Sequence, residues 1–346
     1  MEDDPLFRRT RQHAEKRLVF NGAKSDKQRL EDIKEFLRLE REMLLRYHQK
    51  GDSGLRLTRA RAVIVDVLIQ SLFQYAREIA VEVLGKVRPL CVLATGGYGR
   101  GELCPQSDID LMFLYSKSLG GKTQESLKET MTREILYPLW DSGLKVGHAS
   151  RDMKEAITES QNDIRNKNAM LETRFICGDR KMSERFIQKF LKHCRSHEPE
   201  NYFQELQAHQ KERRLEKQST VYLQAPDVKS GAGGLRDYQG ILWMIKVKFG
   251  NHGLDELIRR KYLSEQEAKS YSDAYSFLLR VRNELHFLSK RPVNILHLEK
   301  QPEVALGLGY GEKDIFRRVE MFMGDYYSHA RTISQITGIL ERRLVY

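Results

Sequence analysis

The chain has 346 residues, 40% of them hydrophobic, and carries a formal net charge of +11. This is enough apolar material for a substantial core and predicts two domains. No run approaches the roughly eighteen apolar residues of a membrane-spanning helix, and the N-terminus MEDDPLFRRTRQHAEKR lacks a signal-peptide core, so a cytoplasmic protein with no membrane partner is expected. Cys91, Cys104, Cys177 and Cys194 are scattered without C-x-x-C spacing and read as reduced thiols rather than a structural zinc site. The basic balance suits an anionic partner, yet the cations alternate with acids along amphipathic stretches such as Arg29 to Arg46. Without a basic tract or an aromatic ladder, nucleic acid is not the favoured partner.

Residues 1–24 are polar and charged and are expected to form an extended or fraying arm. Residues 25–86 form a helical segment. Leu30, Ile33, Phe36, Leu37, Met43 and Leu44 recur at three- and four-residue intervals and predict a helix over 26–49. Val63, Val67, Leu68, Leu72 and Tyr75 predict a second over 58–84, with Gly51 and Gly54 marking the turn between them. Residues 87–225 read as an α+β core. A first strand runs from Leu90 to Thr95, a glycine-rich loop from Gly96 to Gly101, a short helix from Arg100 to Leu103, and a second strand from Ile109 to Tyr115. A loop over 116–122, a helix over 123–140 and a third strand over 143–150 complete a small mixed sheet with helices on one side. Helices are expected over 152–176, over 180–195 and around 211–217, with a short strand over 218–225. Residues 226–346 comprise a second glycine-rich loop and a helical bundle, with helices over 241–249, 264–288 and 313–344.

The chemistry concentrates between Ala94 and Tyr115, ATGGYGRGELCPQSDIDLMFLY. Asp108 and Asp110 are spaced i, i+2, so in a strand they project to one face while Ile109 and Leu111 face the core. Two such carboxylates suit divalent metal ions held against a nucleoside triphosphate. Gly96 and Gly97 let backbone N–H groups approach phosphate oxygens, with Ser107 beside the acids. Arg100 either adds positive charge there or pairs with Glu102.

This stretch resembles the signature of the DNA polymerase β-like nucleotidyltransferases, and its fuller form GGYGRGELCPQSDIDLMFL is similar to the bacterial PII-protein uridylyltransferases. Further segments carry the same resemblance: Trp140-Asp141, Leu144 to His148, Leu171 to Arg174 with Gly178, Lys229 with Gly231 to Asp237, Arg282 to His286, Gln301, and Leu308 to Tyr310. It spans about residues 30 to 343. The resemblance implies a polymerase β-like core and transfer of UMP from UTP to a tyrosine of a PII-type nitrogen regulatory protein. Mg²⁺ on Asp108 and Asp110 would orient the α-phosphate, and pyrophosphate would leave. Glutamine synthetase adenylyltransferases share both glycine elements, so AMP transfer to another acceptor is an alternative. A non-catalytic nucleotide-binding regulator is another, which the intact Asp108/Asp110 pair disfavours. Full-length uridylyltransferases also carry an HD phosphohydrolase domain and two ACT domains. This sequence has no adjacent His-Asp pair, so a chain complete at Tyr346 would lack uridylyl removal and glutamine sensing through those domains, whereas a segment of a longer chain need not.

The fold usually takes a third carboxylate from the neighbouring strand, where this sequence has Gly147 and His148. Asp152, Asp163, Glu172 and Asp237 are the candidates for it, and His148 is either near the site or a satisfied histidine. The second glycine motif is the candidate for completing the nucleotide pocket: Lys229 is expected to neutralise phosphate, glycines such as Gly233 and Gly234 to approach the base or sugar, and Arg236 or Asp237 to orient them. The alternative is a tight turn capping the helix at Tyr238. Arg282 and His286 lie i, i+4 on one helix. The spacing of Arg280 and His286, also found in some helical ribonucleases, arises readily in a basic helix and does not point to a nuclease.

Overall fold

The computed structural model describes residues 4–20, 24–85, 89–116, 122–196, 199–250 and 253–345. The chain divides into two units, one of Met1–Leu44, Thr58–Leu103 and Ser107–Phe190, the other of Leu45–Leu57, Cys104–Gln106 and Leu191–Tyr346. Among the described residues no helix is long and apolar enough to cross a membrane. None of the four cysteines is in a disulfide.

In the first unit the expected N-terminal arm is instead helix α1 (Pro5–Arg17). Asp4 caps it by accepting from the Leu6 N–H at 2.9 Å, and Pro5 occupies the first turn, where a missing N–H costs nothing. Leu6, Phe7, Thr10 and Ala14 form a narrow buried stripe. Thr10 donates to the buried carboxylate of Glu40 at 2.9 Å on α2 (Asp26–Gln49). The charged composition hid a short amphipathic face. Helix α3 follows (Gly54–Leu84).

Four strands make a mixed sheet: β1 (Leu90–Ala94), β2 (Ile109–Tyr115), β3 (Val146–Arg151) and β4 (Arg174–Gly178), in the order β3-β2-β1-β4. β1 is antiparallel to β2 and β4, and β2 is parallel to β3. Every residue of β1 is buried, and because side chains alternate across a strand, both faces of the sheet are covered there, not the one expected. Between β1 and β2 lies a single helical turn, α4 (Gly96–Gly99).

The stretch over 123–140 is helical but interrupted: α5 (Lys122–Met131), a π-helical turn over Thr132–Leu136, and α6 (Tyr137–Asp141). Most of the loop expected over 116–122 lies outside the described residues. The single helix expected over 152–176 is corrected to two helices and a strand. Asp152 starts α7 (Met153–Asn162) with a capping box to Glu155, and Asp163 ends it while capping α8 (Ile164–Leu171). The chain then enters β4, where Phe175 and Ile176 fit a pleated surface and Gly178, at φ +94°, ends the strand. Helix α9 (Arg180–Ser196) runs from the first unit into the second.

The second unit is helical, with α10 (Pro199–Glu216), α11 (Leu235–Phe249), α12 (Asp255–Arg259), α13 (Glu265–Ser289), α14 (Gln301–Gly307) and α15 (Ile315–Val345). The strand expected over 218–225 is absent, and the extended pairing nearby is an isolated bridge between Asp227 and Ile295. Tyr238 of α11 stacks on Tyr275 of α13 at 3.9 Å between ring centres, and Tyr271 hydrogen-bonds Thr337 of α15 at 2.7 Å.

Candidate active site

Two consecutive strand ends of the sheet build the site. β1 stops at Ala94, Thr95 donates its N–H to the Asp110 carbonyl at 3.0 Å, and Gly96 turns the chain at φ +57°, a conformation that glycine adopts without strain. The turn forms at Gly96–Gly99, not at the expected Arg100 to Leu103. Its first internal hydrogen bond runs from the Gly99 N–H to the Thr95 carbonyl at 2.9 Å, so the leading N–H groups of the turn are not consumed inside it.

Asp110 pairs in register with Gly147 of β3. A Cβ on Gly147 would stand 3.1 Å from Asp110 Oδ1, and one on Gly96 would stand 3.3 Å from Oδ2. The carboxylate therefore lies between two glycines that leave its oxygens accessible. Asp108 and Asp110 are both exposed on either side of buried Ile109, so their charges remain in reach of water. Ser107 is half-buried beside them.

The turn is held from behind by residues the sequence reading did not assign. Tyr98 donates to Asp66 Oδ1 at 2.6 Å, and Arg174 grips both oxygens of Asp66 at 2.7 and 3.0 Å while donating to the Tyr98 carbonyl at 3.2 Å. Burial, and then the Asp66 charge, push the Tyr98 hydroxyl well above the ordinary phenol range, so it stays a donor. Burial draws the Arg174 guanidinium down, and Asp66 and Tyr98 outweigh it. A lone acid within the apolar run ARAVIVDVLIQSLF was the visible signal for Asp66. Arg100 is paired with Glu102 at 3.1 Å and with Glu172, so two carboxylates match its charge.

Gly99 lies against the backbone that follows α8. A Cβ there would sit 2.2 Å from the Glu172 carbonyl oxygen and 3.0 Å from that of Ala94. Gly99→Ala is therefore expected to cost about 1–3 kcal/mol through overpacking against backbone that cannot rotate away. Gly311→Ala, with nothing within 4 Å of the added atom, serves as the neutral control. Equal melting temperatures for the two variants would show that the approach at Gly99 is not tight.

The candidates for a third carboxylate are all otherwise engaged. Asp152 accepts from the Lys154 and Glu155 N–H groups, Asp163 from the Arg165 N–H, and Glu172 binds Arg100. Asp237, in the second unit, is gripped by Arg213 and Arg214. His148 pairs with Leu111 and so belongs to the opposite face of the sheet from Asp110, exposed, its ring 5.8 Å from Trp140. Among the described residues no three His, Cys, Asp or Glu side chains gather to hold a metal. A pair of exposed carboxylates nevertheless fits a hard cation that takes one or two protein ligands and completes its shell with water and substrate phosphate.

The second glycine motif lies wholly in the second unit. Asp237 is 1% exposed and accepts from the Gly233 N–H at 2.8 Å and from Arg214 Nε at 3.0 Å. Arg213 bonds the Ser230 carbonyl at 2.5 Å. Gly233, at φ +69°, presses on α15, where a Cβ would lie 2.1 Å from the Ala330 oxygen, and Gly234 caps α11. Arg236 is half-buried and donates to Gln239 at 3.1 Å, while Lys229 is half-buried with its N–H on Asp227 at 3.0 Å. The tight turn capping a helix is thus present, with Asp237 as its hub.

A mixed four-stranded sheet carrying a Gly-Gly turn and an exposed D-x-D at adjoining strand ends is a nucleotidyltransferase core, and comparison with known proteins places the chain in that class. Residues 23–137 match the family model for glutamate-ammonia ligase adenylyltransferase, and residues 201–341 that for GlnD PII-uridylyltransferase. The bifunctional uridylyltransferase/uridylyl-removing enzyme of Rhodospirillum rubrum is 34% identical over 300 residues, 86% of this chain and 32% of that protein. The proteins of the same name from Bradyrhizobium diazoefficiens and Caulobacter vibrioides are 36% identical over 257 residues and 32% identical over 301. Over the segment it shares with them, the chain belongs to the PII uridylyltransferase family. It spans about a third of the length of these relatives.

Proposed function

We propose that this chain transfers UMP from UTP to a hydroxyl of a PII-type regulatory protein, with Mg²⁺ held by Asp108 and Asp110. The observation that carries this reading is the Asp110 carboxylate, exposed between Gly96 and Gly147 in a chain related over most of its length to uridylyltransferases. The bound cation would neutralise the triphosphate and polarise the α-phosphate. The turn at Gly96 and Gly97 offers N–H groups to the terminal phosphates. The acceptor oxygen forms its bond to the α-phosphorus as the bond to the bridging oxygen breaks. Pyrophosphate leaves with that electron pair, and the hydroxyl proton passes to an exposed aspartate oxygen or to water. Tyr98, Asp66 and Arg174 hold the turn rigid so that its donors need not reorganise during transfer.

AMP transfer is the second reading, favoured by the adenylyltransferase match over residues 23–137. Incubation with Mg²⁺, each of the four common ribonucleoside triphosphates in turn and a PII-type protein, read by intact mass, separates the two. A gain of one UMP is expected. A gain of AMP would keep the mechanism and replace the substrate, and no gain with any nucleotide would sink the transferase reading for this acceptor.

A further inference from the structure

Helix α13 places four polar side chains, Arg282, Asn283, Glu284 and His286, in the interior of the second unit, and His286 is fully buried. Buried charge is costly unless it is paired, so the partners show what these residues are for. Glu284 binds His48 Nε2 at 2.6 Å and packs so closely on α14 that a Cβ at Gly307 would overlap its Oε1 at 2.1 Å. That half of the cluster ties the bundle together. The other half holds a short piece of chain. Arg282 donates from Nε to Asn294 at 2.8 Å and from Nη1 to the sulfur of Cys104 at 3.3 Å, and the Gln106 N–H donates to His286 Nδ1 at 3.1 Å.

Cys104–Gln106 belongs to the second unit, although the residues on both sides of it belong to the first. Two peptide bonds after Gln106 comes Asp108. We propose that Arg282 and His286 are positioning residues for the metal-binding carboxylates. By fixing the backbone of Cys104–Gln106 from within the helical unit, they restrict, through the chain itself, where Asp108 can stand. This rests on the reading of Asp108 and Asp110 as metal ligands. Both contacts are of a kind that specifies geometry: a backbone N–H aimed at one ring nitrogen, and a guanidinium held by Asn294 while it reaches the sulfur. Accepting at Nδ1 requires that nitrogen to be unprotonated, so the neutral ring is the form that holds the loop.

Two substitutions at His286 separate positioning from mere stability. His286→Leu fills the space without an acceptor, whereas His286→Asn keeps an oxygen near the place of Nδ1. The readouts are kcat and KM for transfer, melting temperature, and Mn²⁺ affinity in the presence of UTP measured by water proton relaxation. His286→Leu is expected to lower kcat by about tenfold to a hundredfold, as a sub-ångström to ångström misplacement of a reacting group does, with KM for UTP little changed. Its Mn²⁺ affinity should fall by about tenfold, the loss expected when support behind a ligand is removed, and His286→Asn should recover most of both. Unchanged kcat and Mn²⁺ affinity in a His286→Leu protein that merely melts lower would overturn the proposal. Should that variant fail to fold, Cys104→Ala against Cys104→Ser decides. Alanine is expected to weaken Mn²⁺ binding about threefold, the worth of one modest hydrogen bond, and serine to restore it. No difference between these two overturns it equally. If wild-type protein modifies no acceptor, the functional reading fails, and the Mn²⁺ affinities still decide this one.

Discussion

Replacing Asp108 and Asp110 together by asparagine is expected to abolish nucleotidyl transfer while leaving the fold intact. Both side chains are exposed, and exposed substitutions usually change stability by no more than about 0.5 kcal/mol. Asparagine keeps the volume beside Gly96 and Gly147, which carry no Cβ to meet it, so it adds no clash there. What it removes is the negative charge that, in the proposed mechanism, would hold a cation against the triphosphate. Metal-supplied charge stabilisation is worth several kcal/mol, which at about 1.4 kcal/mol per decade predicts a loss of at least about 10³-fold in kcat. The check is pyrophosphate release at saturating Mg²⁺ and nucleotide, with melting temperature as the folding control. A double variant within tenfold of wild-type rate would remove these carboxylates from the mechanism. A regulator that only binds nucleotide would show loss of metal-dependent binding but no pyrophosphate in either protein.

The parts of this site that were legible in the sequence are those whose partners lie nearby in the chain. β2 matches its expected span because an apolar run starts between two acids, and α2 and α3 follow from their periodicity. Asp152 and Asp163 were candidate metal ligands because they are acids near the third strand, yet the D-M-K-E spacing over Asp152 to Glu155 already spelled a capping box. β4 is hidden within the helix expected over 152–176 because two capped helices come directly before it. The clamp behind the Gly96–Gly99 turn joins α3, the turn and β4, three segments far apart in sequence, and no local pattern reports that Arg174 reaches Asp66. The same holds for Gly233, whose need for a missing side chain is set by the Ala330 carbonyl on α15. Glycine density marks a close approach, and at Gly233 the approach is to backbone. What approaches was not in the local sequence.

Asp237→Ala is expected to destabilise the protein by about 3 kcal/mol, the lower end of what breaking a buried ion pair from one side costs. The carboxylate is 1% exposed, and its removal strands the Gly233 N–H and leaves Arg213 and Arg214 facing each other without it. Burial by itself lowers the Arg214 guanidinium, and the Asp237 and Glu341 charges more than reverse that, so the pair is held together by charge in a place where water helps little. The cost stays at the lower end because Arg214 keeps Glu341 at 2.8 Å and Arg213 keeps the Ser230 carbonyl at 2.5 Å. Asp237→Asn, which retains one acceptor oxygen but no charge, should fall between. Urea unfolding checks this directly: the midpoint should drop with the slope unchanged. The contrasting expectation comes from the sequence reading in which Asp237 orients nucleotide-binding residues. A residue acting only there would raise KM for nucleotide and leave the midpoint where it was. A lower midpoint with KM unchanged at temperatures where the variant is folded assigns Asp237 to the architecture of the glycine loop. Any nucleotide contact made by Lys229 or Arg236 would then depend on a loop that Asp237 holds in shape.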